Sequence, residues 1–154
     1  MRAGRSRGFT YVWMLAAIAV LSAGLAVIGP SWADQARRER ERDLLRIGAM
    51  YATAIAGYRA ASPGSLKQYP ATLEDLLADP RMVGTVRYMR RLYADPLDPS
   101  RPWGVVRDPA GRVQGVYSQS EAEPLRIEAL DLGSTSLPAA RRYSDWKFIA
   151  KAQP

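Results

Sequence analysis

Residues 31–61 read SWADQARRERERDLLRIGAMYATAIAGYRAA, a stretch without proline in which Leu44, Ile47, Tyr51, Ile55 and Tyr58 recur at steps of three and four. That spacing places them on one side of a helix and predicts an apolar stripe in need of a cover. The first part, Asp34 to Asp43, is dense in alternating charge. It reads as a solvated section with i,i+4 pairs, Arg37 with Glu41 attracting and Glu39 with Asp43 repelling. Ser62-Pro63-Gly64 ends the helix.

Toward the amino terminus the pattern changes from amphipathic to uniformly apolar. Phe9 to Ile28 contains no charged residue, and a helix of that length is about 30 Å long, the thickness of a bilayer's hydrocarbon core. A single helix from Phe9 to Ala61 would measure on the order of 80 Å. Arg2, Arg5 and Arg7 precede the run, whereas RRERER after it mixes signs. The uncompensated positive charge therefore predicts a cytoplasmic amino terminus and an external carboxyl-terminal domain. Tyr11, Trp13 and Trp32 lie near the two ends, where aromatic rings favour the headgroup layer. Ser31-Trp32-Ala33 would also suit a secretory signal, but the apolar run exceeds the usual h-region of roughly 7–15 residues.

The chain has 154 residues, room for one modest domain once a membrane segment is set aside. It contains neither cysteine nor histidine, which removes disulfides, thiolate chemistry and the commonest general base and metal ligand. The formal charge is +7, and the three leader arginines account for three of those charges. The remaining +4 is ordinary for a soluble surface and points to no nucleic-acid partner.

The junction between leader and apolar run is specific. Gly8-Phe9-Thr10, after a short basic leader and before the apolar stretch, resembles the processing site of type IV pilins and type II secretion pseudopilins. Pro30, 21 residues after Phe9, matches the place where these proteins bend their long helix. The resemblance implies that a prepilin peptidase cuts between Gly8 and Phe9 on the cytoplasmic face and that Phe9 becomes an N-methylated first residue. A glycine there lets an extended backbone enter a tight active site. One departure stands out: the family usually carries a glutamate four residues after the phenylalanine, and this chain has Trp13. That acid is thought to pair with a neighbouring subunit's terminal amine, and an indole cannot. Pseudopilins lacking it are known among minor, tip-associated subunits.

Beyond the helix, YPATLEDLLADP pairs Thr72 with Asp75 in a capping-box pattern and predicts one short helix, with a second over Val86 to Tyr93. The prolines of ADPLDPSRPWG shape a loop. Trp103 to Arg107 and Val113 to Tyr117 flank Asp108-Pro109-Ala110-Gly111-Arg112 as a hairpin, and Tyr143 to Ile149 fits a third strand. Glu121 to Ala140 reads as an irregular connection. The order of YP with leucines, RRLYADP, a tryptophan and a hairpin ending GVYSQS is similar to the periplasmic domain of the major type II pseudopilin, and with the leader junction the likeness covers roughly residues 5–120.

Asp95, Asp98 and Asp108 could be imagined around calcium, but Asp95 and Asp98 precede prolines and suit turns. The stretch matching the relatives' calcium loop offers Ser118, Ser120, Glu121 and Glu123 without an aspartate cluster. No cofactor is expected. Ser118 and Ser120 have no histidine to activate them, and a lysine base (Lys67, Lys147 or Lys151) would need a buried pocket. Arg90 and Arg91 with Tyr88 and Tyr93 read as a core face backed by a solvated one.

The expectation is an α+β, pilin-like protein in which a long amino-terminal helix, half membrane-spanning and half amphipathic, packs on a small antiparallel sheet. Its parts are a leader (1–8), a transmembrane helix (9–29), an amphipathic continuation (30–61) and a small periplasmic domain (62–154). The resemblance implies a non-enzymatic subunit of the bacterial inner membrane, whose partners are the prepilin peptidase, other pilin-like subunits and inner-membrane secretion components. Ala16, Ala17, Ala19, Ala23, Gly24 and Ala26 would allow close helix packing. The alternative is a single-pass inner-membrane protein with a small periplasmic binding domain, neither cleaved nor polymerised.

Overall fold

The computed structural model describes residues 7–151, with the side chains of residues 7–8 and 23–31 outside that description. Helix α1 runs from Arg7 to Ala60 and is followed by five short strands. The chain divides into two compact units, one ending at Glu39 and one beginning at Arg40.

In the first unit every described side chain from Phe9 to Ser22 is exposed. Among the described residues, no helix is long and apolar enough to cross a membrane. The expected span 9–29 falls partly on side chains outside the description. The helical backbone continues through Pro30, and the bend expected there also lies outside the described side chains.

The second unit is α+β. The apolar stripe read from the sequence is its core: Leu44, Ile47, Tyr51, Ile55 and Tyr58 are all buried. Strands β1 (Gly104–Arg107), β2 (Val113–Tyr117) and β5 (Lys147–Ile149) form an antiparallel sheet in the order β1-β2-β5. Val116 faces Val105 on one side and Phe148 on the other, and the register shifts between Val106 and Arg107 as the chain approaches the hairpin turn. The sheet meets α1 at close quarters, because a Cβ on Gly48 would collide with the Phe148 ring. Trp103 fills the angle between the layers, its ring 5.5 Å from that of Tyr51 and 6.3 Å from that of Phe148.

The hairpin forms where its sequence predicts. The 121–140 segment, expected to be irregular, instead contains a second small antiparallel pair, β3 (Leu130–Asp131) with β4 (Ser136–Leu137). Its turn uses Gly133 at φ +76, whose amide donates to the Asp131 carboxylate at 2.9 Å.

Four other expectations are corrected. YPATLEDLLADP yields only a 3-10 turn at Glu74–Leu76, in which Asp75 accepts from the Ala71 and Thr72 amides while no side chain caps the start. Val86 to Tyr93 is not helical. The two failures share a cause: the Leu76 carbonyl is taken by the amides of Tyr88 and Met89 at 2.9 and 3.1 Å, and the Val86 carbonyl by the Asp79 amide. Backbone groups committed across the chain are lost to i→i+4 bonds. The expected strand over Tyr143 to Ile149 is split into a 3-10 turn, Tyr143–Asp145, followed by β5. The charged section of α1 is also not solvated throughout, since Glu41 is 3% exposed.

Candidate functional site

Gly8 and Phe9 lie in the first turns of α1. Any peptidase acting between them must first unwind that end. Helix ends fray readily, and glycine lowers helix stability by roughly 1 kcal/mol relative to alanine. Phe9 is exposed, and so is Trp13, whose ring meets the Phe9 ring edge-on with centroids 6.4 Å apart. Trp13 thus sets its indole against the Phe9 ring, one helical turn on. Tyr11, Val12, Met14, Ile18, Val20 and Leu21 carry the apolar exposure all round the helix. Ala16, Ala17 and Ala19 are exposed among them. Ala23, Gly24, Ala26 and the Pro30 ring lie outside the described side chains.

Two buried carboxylates fasten the second unit's own helical section, residues 40–60, to the rest of that unit. Glu41 Oε2 accepts from the Tyr143 hydroxyl and from the Leu125 amide, each at 2.7 Å, with Arg126 Nε 3.8 Å from Oε1. A carboxylate buried with two such donors keeps its charge satisfied and ties three distant segments together. Sequence reading assigned Glu41 to a solvated pair. Its position three residues before Leu44, in line with the buried stripe, is the signal that marks it.

At the other end, Asp79 is buried and Arg81 grips it, with Nε 2.8 Å from Oδ1 and a terminal nitrogen 2.7 Å from Oδ2. The same guanidinium donates to Ser62 Oγ at 2.7 Å and to the Tyr58 carbonyl at 2.8 Å, and lies 3.6 Å from the Tyr58 ring centroid. Lys67 Nζ donates to the Ala60 and Ser62 carbonyls. Cations thus satisfy carbonyls that the end of a helix leaves without partners. Hydrogen bonds from the Arg81 side chain bring the Asp79 pKa down to about 2, against burial, and the Tyr88 hydroxyl adds a 3.1 Å bond. Burial pushes the Tyr58 and Tyr88 hydroxyls up. Nothing in the local pattern of Asp79-Pro80-Arg81 announces this network, since its partners lie about twenty residues upstream.

The acids weighed for calcium are spent on turns. Asp95 accepts from the Leu97 amide, Asp98 from Ser100, and Asp108 from the amides of Ala110 and Arg112. Hydrogen bonding from the Ser100 hydroxyl holds Asp98 below its ordinary value. Ser118 Oγ accepts from the Ser120 amide, and Glu121 pairs with Arg142 at 2.7 Å. Among the described residues, no three or more acidic side chains gather as metal ligands would. Lys151 pairs with Asp131. Arg91 lies 4.9 Å from the Tyr93 ring centroid, and Tyr88 packs on Tyr58, so both aromatic faces are used within the fold.

Comparison with protein-family models, with curated proteins and with solved structures found no match for the chain.

Proposed function

We propose that the protein is a non-enzymatic, pilin-like subunit of a type II secretion or type IV pilus-like assembly. In this reading residues 9–29 anchor it in the bacterial inner membrane with the second unit in the periplasm. Prepilin peptidase removes residues 1–8, and the apolar helix then leaves lipid to pack against other pilin-like subunits. The observation that carries the reading is the exposure of every described side chain from Phe9 to Ser22, directly after Gly8. Apolar surface presented on all sides of a helix needs lipid or other helices around it. The buried stripe from Leu44 to Tyr58 supports it further, because one continuous helix then serves both as anchor and as the spine of a folded domain.

Trp13 favours a second reading, in which the same anchored protein stays uncut and unpolymerised, since an indole cannot neutralise a buried amine. Intact-mass measurement on protein extracted from membranes separates the two. Loss of residues 1–8 together with gain of one methyl supports the first, an uncut chain supports the second, and a start at Asp34 would reveal a secretory signal instead.

A further inference from the structure

Beside the β1–β2 hairpin lies an open cleft of about 520 Å³. Tyr51, Trp103 and Val113 are its buried residues, and Leu73, Leu92 and Val105 are half-buried around them. Its charged members, Glu74, Arg101 and Arg107, are all exposed. The cleft is therefore apolar in its depth and carries charges of both signs at its edge. That combination suits a short segment with aliphatic side chains and charges of its own.

Such a segment exists in the same unit and lines no part of the cleft. Leu125 is 42% exposed and Ile127 is 65% exposed, with Arg126 between them and Glu128 after. The segment is held at its base, because the Leu125 amide donates to buried Glu41. A pre-positioned loop loses less conformational freedom on docking than a slack one.

We propose that Leu125 to Glu128 of one copy seats in the cleft of a second copy. Leu125 and Ile127 cover the aromatic depth, Arg126 turns from its 3.8 Å approach to Glu41 toward Glu74, and Glu128 approaches Arg107 and Arg101, the latter shared with Asp98 at 3.2 Å. Opposite charges at Arg126 and Glu128, matched by Glu74 and by Arg101 and Arg107 at the cleft's edge, select another copy of this chain as the occupant. Loop and cleft are different surfaces, so each copy still offers one of each after the first contact forms. The contact is heterologous and extends without closing unless the rotation happens to close it. This inference deepens the subunit reading above and rests on it.

The natural chain has no cysteine, which makes single introduced cysteines unambiguous. Full-length Ile127→Cys and Val105→Cys chains are co-expressed, and membranes are treated with a mild oxidant or a short bismaleimide. A mixed dimer should form about tenfold or more above that from Ile127→Cys with Val83→Cys, because docking raises the local concentration of the pair. Val83 is fully exposed and away from the cleft. Arg107→Cys, at an exposed edge position, repeats the test without touching the half-buried wall. Ile127→Asp should abolish the link between Glu128→Cys and Arg107→Cys. Ile18→Cys chains report helix-to-helix assembly independently. If they crosslink while Ile127 links no better to Val105 and Arg107 than to Val83, or links chiefly to itself, the loop-in-cleft contact is wrong and the assembly reading stands. If Ile18 also fails to link, both are wrong.

Discussion

The Tyr143 hydroxyl donates a 2.7 Å hydrogen bond to the Glu41 carboxylate, joining two residues 102 positions apart. Glu41 is the first buried side chain of the second unit's helical section, and the Leu125 amide bonds the same oxygen. Removing the carboxylate takes away the charged acceptor that the Tyr143 hydroxyl and the Leu125 amide share. Glu41→Ala should therefore cost about 1–3 kcal/mol, the range for losing hydrogen bonds to a buried charged group. Glu41→Gln retains an accepting oxygen and should cost less. Denaturant unfolding of the purified protein measures both, and a double-mutant cycle with Tyr143→Phe isolates the shared bond.

Asp79 supplies the pH dependence. Its folded pKa, about 2, lies below its ordinary 3.8 because Arg81 holds the charged form. A depressed folded pKa contributes stability that is present in full above the ordinary value and is lost as pH falls from about 4 through 2. The contribution is on the order of 1–2 kcal/mol after allowance for screening at the partly exposed guanidinium. Asp79→Asn should be less stable than the natural protein near neutral pH by that amount, and the two unfolding curves should converge below about pH 2. A gap that stays constant across this window would assign the effect to packing, not charge.

These two residues show what sequence could and could not convey. The stripe from Leu44 to Tyr58 was legible because a helix repeats its face every three or four residues, and the β1–β2 hairpin because Asp108 to Gly111 has turn chemistry of its own. Val86 to Tyr93 misled because its spacing is helical while its backbone is claimed from outside, by Leu76 and by the Tyr51 hydroxyl at 2.9 Å from the Tyr93 amide. Local periodicity carries no information about such partners. Glu41 lay in plain view on the stripe, but its charged neighbours masked it. The cleft beside Trp103 was invisible, since its residues come from separate stretches of chain between Tyr51 and Val113.

Gly48 offers a sharper test of packing. Alanine is the better helix former by about 1 kcal/mol, so a solvated glycine at this position would gain from the change. Here the added Cβ would run into Cγ, Cδ1 and Cε1 of Phe148. Phe148, on β5 beside Val116 of β2, is wholly buried against α1 and has little room to yield. Gly48→Ala should lose about 1–3 kcal/mol net, as overpacked cores do. Gly48→Ala with Phe148→Leu should recover part of that loss, which thermal unfolding of the pair against Phe148→Leu alone would reveal.

Gly8 tests the processing reading at its chemical centre. The helix already includes this residue, so a peptidase must convert helical backbone into an extended strand and bring it close to its own catalytic groups. Glycine eases both steps, by weakening the helix and by lacking a Cβ that would meet the enzyme. Gly8→Ala strengthens the helix slightly and adds one small group, so maturation should slow without stopping. Gly8→Leu adds a branched side chain at the point of closest approach and should block it, leaving full-length protein in the membrane. Intact mass after a timed pulse of expression distinguishes these outcomes, and normal maturation of Gly8→Leu would remove Gly8 from the cleavage site altogether.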